Sequence, residues 1–211
     1  MQHQMPNQKT LICITGTDGS GKSAFITELL KSIPSSREVS VIDENFVAGG
    51  RFFQSLKEFD EYLTLLTPDS RLLFIAHAFK YALDQAMKGK EKYLILNSYY
   101  YKYFAAELAL GANTSLEKLL RALFPVPDKT ILVLMNSCEA VKRKGVFLKY
   151  ECGCKEPNPD NFCEFQKEVF KFIQEYAEPN WLILSGKKSF EENFTKICEY
   201  ISITNSIRDA V

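Results

Sequence analysis

Residues 16–23 read Gly16-Thr17-Asp18-Gly19-Ser20-Gly21-Lys22-Ser23 and fit G-x-x-x-x-G-K-[ST] at every position. An apolar run, Leu11 to Ile14, leads into them, and an amphipathic stretch follows. That is the strand–loop–helix context of a phosphate-binding loop. Its glycines let the chain curl until successive backbone N–H groups point inward at phosphate oxygens, and the helix that follows adds its positive end. On this pattern the backbone of Gly16, Thr17, Asp18, Gly19, Ser20 and Gly21 wraps the phosphates of a nucleotide. Lys22 reaches the β and γ phosphates as a point charge, and the Ser23 hydroxyl takes one position on a magnesium ion.

Outward from the loop, short apolar runs alternate with amphipathic stretches. Leu11–Ile14, Val39–Ile42, Tyr93–Leu96, Ile131–Met135 and Trp181–Leu184 are nearly continuous in apolar character, as strands buried on both faces are. Between them, Phe25, Ile26, Leu29, Leu30 and Ile33 share one helical face that Pro34 stops. Leu72, Ala76, Phe79, Leu83 and Met87 share a second. Val169, Phe170, Ile173 and Ala177 mark a late helix, and Phe190, Phe194, Ile197 and Ile201 the last. The fold class is therefore α/β, a five-stranded parallel sheet with helices on both faces. Residues 10–211 read as a single domain after a tail at 1–9. Gly145 to Asn161, with two glycines and two prolines, reads as a mobile flap.

Composition narrows the partners. Lys+Arg and Asp+Glu both number 26, so the formal net charge is zero and gives no electrostatic case for nucleic acid or an anionic membrane. No segment approaches the ~18 consecutive apolar residues of a membrane span, and residues 1–10 lack the pattern of a signal peptide. A cytoplasmic location follows as the expectation. There the six cysteines read as thiols or metal ligands rather than disulfides.

The motifs resemble those of the thymidylate kinases among the nucleoside monophosphate kinases. The loop form Gly-x-Asp-Gly-x-Gly-Lys-Ser carries the resemblance, with Leu72-Leu73-Phe74-Ile75-Ala76 standing for the family's Leu-Leu-Phe-x-Ala. Leu94-Ile95-Leu96-Asn97-Ser98-Tyr99 lies where the family has a strand ending Asp-Arg-Tyr, and Pro127-Asp128 precedes the fourth strand. The resemblance implies the P-loop NTPase fold with a LID at about 145–161, ATP and Mg2+ as cofactors, and a homodimer. It places adenine near Gly186 to Ser189, with Lys187 among the ATP contacts. Asp18 would accept a hydrogen bond from the acceptor's sugar, and Phe74 would stack on its base, although core packing reads the same apolar run equally well. Arg143 and Lys149 would come from the LID side to neutralise the transferring phosphoryl group; a solvated basic helix end is the alternative for Arg143. Arg51, Arg71, Asn97 and Tyr99 complete the expected acceptor site.

The departures matter as much. Asn97-Ser98 replaces Asp-Arg, Asp43-Glu44-Asn45 replaces Arg-Glu-Pro, and Ala78 stands for a further arginine. Paired charged hydrogen bonds to phosphate are what an arginine fork supplies, and neutral side chains do not. Three readings follow. The first is a kinase moving the γ-phosphoryl of ATP to a nucleoside monophosphate such as dTMP, with Arg51, Lys80 or Lys102 replacing the lost arginines. The second is a kinase for a nucleoside or modified nucleotide, and the third a nucleotide-binding protein with little turnover. Separately, Cys152, Cys154 and Cys163, with Cys138 or Asp160, could hold a structural zinc, although their spacing is not that of paired C-x-x-C knuckles. His3 and His77 have no metal-ligand spacing.

Overall fold

The computed structural model describes residues 9–33, 38–43, 53 and 55–201. The expected tail, apart from Lys9, lies outside them, as do Pro34, Glu44, Asn45 and Arg51. Five parallel strands, β1 (Thr10–Thr15), β2 (Val39–Ile42), β3 (Tyr93–Asn97), β4 (Lys129–Leu134) and β5 (Leu182–Ser185), stand in the order β2-β3-β1-β4-β5. All five match the apolar runs to within two residues at either end, because such runs satisfy both faces of a covered sheet. The helices are α1 (Lys22–Ser32), α2 (Leu56–Leu65), α3 (Pro68–Met87), α4 (Tyr99–Ala109), α5 (Thr114–Arg121), α6 (Ser137–Arg143), α7 (Pro159–Tyr176) and α8 (Phe190–Ile201).

Alternation along the strands divides the core into two layers. Leu11, Cys13, Leu94, Leu96 and Leu132 face α3, α4 and α7, whereas Ile12, Ile14, Ile95, Ile131 and Val133 face α1 and α8. Helix α4 is buried all round, with every residue from Tyr99 to Glu107 withdrawn from solvent. It therefore has no polar stripe from which a helical period could be read.

The segment expected to be an irregular flap is more ordered than its composition suggests. A 3₁₀ turn occupies Tyr150–Cys152, with Tyr150 and Cys152 buried, and α7 already begins at Pro159. The start of α7 has a local cause: the Asn158 side chain accepts from the Asn161 N–H at 2.9 Å, and Pro159 fills the first helical position, where no donor is needed.

Candidate active site

In a sheet of this order, the chain leaves β1 and β3 on opposite sides, which opens a crevice beyond their carboxyl ends. The loop 16–23 closes one side of it. Gly16 has φ +146°, and a Cβ there would meet the Val133 carbonyl oxygen at 2.6 Å, so only glycine fits. Gly19, at φ +74°, would meet the Ala140 side chain at 2.8 Å.

Helix capping marks the same place. Ser55, Thr67, Asn113, Asn136 and Asn158 each satisfy N–H groups at the start of their helices with a side-chain oxygen. Helices α1 and α4, capped by Gly21 and Ser98, have no such bond, and both begin at the crevice. Their open N–H groups form a positive end suited to an anion. Ser98 (φ 71°) and Tyr99 (φ 52°) hold left-handed conformations that cost non-glycine residues about 1–3 kcal/mol each. Two bonds hold the turn: Ser98 N–H donates to the Ile14 carbonyl at 2.8 Å, and Thr15 Oγ1 donates to the Ser98 carbonyl at 3.1 Å.

The crevice encloses about 320 Å³. Asp18, Lys22, Ser23, Asn97, Arg143, Lys144 and Glu151 line it. Lys22 Nζ is folded back on its own loop, donating to the carbonyls of Gly16 (2.9 Å) and Thr17 (2.6 Å). Arg143, at the end of α6, makes no ion pair among the described residues; its Nη1 lies 3.8 Å from the position a Cβ on Gly21 would take. Lys144 pairs with Glu151 at 2.7 Å. Asp18 Oδ1 is 2.7 Å from Lys102 Nζ. Burial pushes the Asp18 carboxyl up, but Lys102 and Lys22 outweigh it and hold the group below the ordinary carboxylate value.

Gln166 links the crevice to a neighbouring hollow. Its Oε1 accepts from the Asp18 N–H at 2.9 Å, and its Nε2 donates to the Glu151 carbonyl at 3.0 Å. The hollow, about 440 Å³, lies between the β4–α6 turn, α7 and the β5–α8 turn, with Asn136, Phe170, Gly186 and Lys187 on its walls. Magnesium favours oxygen donors with phosphate completing its shell. Ser23 is exposed at the crevice, and Asn97 Oδ1 accepts only a 3.4 Å bond from Ser98 Oγ; this pair suits the ion, although both donors are neutral.

Several expected acceptor residues stand elsewhere. Arg71 is buried, and its Nε donates to both oxygens of Glu107 at 2.9 and 2.7 Å, while its Nη1 donates to the Leu63 and Leu66 carbonyls. Tyr150 OH donates to the same Glu107 at 2.7 Å. This network ties the guanidinium to Glu107 and to the end of α2. Tyr99 is 1% exposed and donates to the Pro125 carbonyl, so it is a core residue. Phe74 packs in an aromatic cluster, its ring centroid 6.1 Å from Phe53, 6.2 Å from Phe59 and 5.3 Å from Tyr62. Lys149 is exposed and off the crevice lining, Lys80 pairs with Asp84 on the outside of α3, and His77 is exposed.

The zinc expectation is corrected. Cys152 is buried and reaches the Asn158 carbonyl, Cys154 meets Arg71 Nη1, and Cys163 meets Cys138, so the three sulfurs serve three different places. Among the described residues no group of three metal-ligating side chains exists. Sequence reading passed over Lys144, Glu151 and Gln166 at the crevice. Lys144 was signalled by the basic run Lys142-Arg143-Lys144, whereas nothing in the local sequence marks Gln166. Among the described residues no helix is long and apolar enough to cross a membrane.

No family model matches the chain. Over 183 residues it is 26% identical to the "Probable thymidylate kinase 1" of Saccharolobus solfataricus, covering 86% of this chain and 91% of that protein. Over 200 residues it is 25% identical to the "Probable thymidylate kinase" of Pyrobaculum aerophilum, covering 90% and 95%. Among solved structures, the thymidylate kinase of Candida albicans aligns with a TM-score of 0.69 at 20% identity over 92% of both chains. That of Ehrlichia chaffeensis aligns with a TM-score of 0.61 at 17% identity, over 92% of this chain and 99% of its own. With a phosphate-binding loop at the head of a five-stranded parallel sheet, and relatives of this kind along most of its length, the chain is thymidylate kinase-like.

Proposed function

We propose that the protein is a phosphotransferase that moves the γ-phosphoryl group of ATP to a nucleoside monophosphate, dTMP or a related nucleotide. The observation that carries this is one crevice on which a complete phosphate-binding loop, two uncapped helix starts, Arg143 and an ionised Asp18 converge. In this reading ATP lies across residues 16–23, with adenine in the hollow beside Gly186 and Lys187. Phosphate oxygens would draw Lys22 Nζ from the two loop carbonyls it now contacts, because a charged acceptor makes the stronger bond. Arg143 would meet charge on the transferring group; such transfer depends chiefly on alignment and neutralisation. Magnesium held by Ser23 and Asn97 would neutralise charge on the β and γ oxygens. Asp18, ionised, would accept a hydrogen bond from the acceptor's sugar hydroxyl in competition with Lys102.

One observation favours a second acceptor class. Among the described residues lining the crevice, Arg143 is the one arginine, and Glu151 brings a carboxylate to the same wall. A nucleoside or modified nucleotide needs no phosphate fork there. Labelled γ-phosphoryl transfer from ATP to a panel of nucleosides and nucleoside monophosphates separates these readings. Label on monophosphates supports the first, and label on nucleosides alone supports the second. Tight ATP binding with no transfer to any acceptor overturns both.

A further inference from the structure

Cys138 and Cys163 take no part in nucleotide binding as read above. Cys138 is exposed in the first turn of α6, Cys163 is half-buried near the start of α7, and their Sγ atoms lie 2.7 Å apart across 25 residues of chain. Both are free thiols. Ser137 Oγ lies 3.3 Å from Cys163 Sγ, and Lys167, four residues along α7, adds positive charge. Burial raises the Cys163 thiol, yet hydrogen bonds from Cys138 and Ser137, with Lys167, bring it below the ordinary value. Cys138, bonded to Cys163, goes up. The asymmetry separates a nucleophilic sulfur from a resolving one.

We propose that Cys138 and Cys163 form a reversible oxidation site, which a peroxide converts to a disulfide joining α6 to α7. The Cys163 thiolate attacks one peroxide oxygen, the O–O bond breaks, and the departing hydroxide takes up a proton to leave as water. Cys163 is then a sulfenic acid. The Cys138 sulfur attacks it, the S–OH bond breaks, and a second water leaves. In sum, two thiols and one hydrogen peroxide give one disulfide and two waters: the sulfurs together lose two electrons, and the peroxide gains them. From 2.7 Å the sulfurs need close by only about 0.7 Å to reach bonding distance. Ser137 and Glu139 beside Cys138, and Gln166 and Lys167 beside Cys163, line the 440 Å³ hollow, so the bond ties its two walls together. The other four cysteines have no sulfur partner among the described contacts, which predicts a single cross-link.

The test is to treat the reduced full chain with a small excess of hydrogen peroxide and digest it without reductant for peptide mapping by mass spectrometry. A linked peptide carrying Cys138 and Cys163, with loss of two hydrogens and reversal by dithiothreitol, is the expected result. Cys138→Ser, which keeps the chain's circular dichroism, should lose the link but give a Cys163 sulfenic acid that a dimedone probe traps. Cys163→Ser should lose both. A map in which these two cysteines stay unlinked, or in which Cys163→Ser labels with dimedone as fast as Cys138→Ser, overturns the proposal.

Discussion

Replacing Lys102 by methionine removes the charge 2.7 Å from Asp18 Oδ1 and keeps the length and apolar stem of the side chain. At an effective dielectric of about 20, a pair at this distance attracts by roughly 6 kcal/mol before desolvation is counted. Breaking a buried pair costs a net ~3–5 kcal/mol, because one charge is left without its counter-ion. Lys22 and Lys144 still face Asp18, which puts the Lys102→Met loss near the lower end, about 3 kcal/mol. With a urea m-value of about 2 kcal/mol/M, the unfolding midpoint should fall by about 1.5 M at pH 7. The pH dependence follows the same pair. Folded Asp18 titrates below the ordinary carboxylate value, so its contribution to stability is complete above that ordinary value and is lost as pH falls through the depressed folded value. Without Lys102 the folded value rises, and stability should begin to fall at a higher pH than in the parent chain. Urea titrations followed by circular dichroism from pH 7 to pH 3 measure both effects. A loss below about 1 kcal/mol with an unchanged acid limb would refute the argument that this pair holds Asp18 ionised.

Lys22→Ala should lower phosphoryl transfer by at least about 100-fold with far-ultraviolet circular dichroism unchanged, since its Nζ donates to the Gly16 and Thr17 carbonyls of its own loop and not to a helix or strand ladder; normal turnover would remove the kinase reading. Glu107→Gln leaves buried Arg71 without a counter-ion and should cost about 3 kcal/mol in urea unfolding, because the amide keeps the shape but not the charge. A loss under 1 kcal/mol would mean that Arg71 finds water when Glu107 is neutral.

The loop and strands were legible because their signals are local. Residues 16–23 carry a spacing that chemistry demands within eight positions, and each strand is a short apolar run. Helix α4 was not legible: Tyr99, Tyr100, Tyr101 and Phe104 are all core residues, so the stretch shows neither a polar face nor a period. The start of α7 was legible in Asn158-Pro159, a cap followed by a first-turn proline, but the glycines and prolines around it pointed to a loop. Arg71 and Tyr99 depend on the fold instead. Each sits beside a recognisable motif, yet Glu107, 36 residues from Arg71, and Pro125, 26 residues from Tyr99, claim their polar groups.

By itself, the sequence determined the class of fold and the phosphate-binding half of the crevice, because covalent spacing fixes a glycine loop and a buried strand without reference to distant residues. Only the tertiary structure decided the rest. Whether a charged side chain is free for a ligand depends on which opposite charge the fold brings to it, and burial makes that pairing obligatory. Lys102 meets Asp18 across 84 residues, Lys144 meets Glu151, and Arg71 is spent on Glu107. Among the described residues these pairings leave Arg143 as the guanidinium lining the crevice, and the fold brings Cys138 to Cys163, a meeting that no local pattern announces.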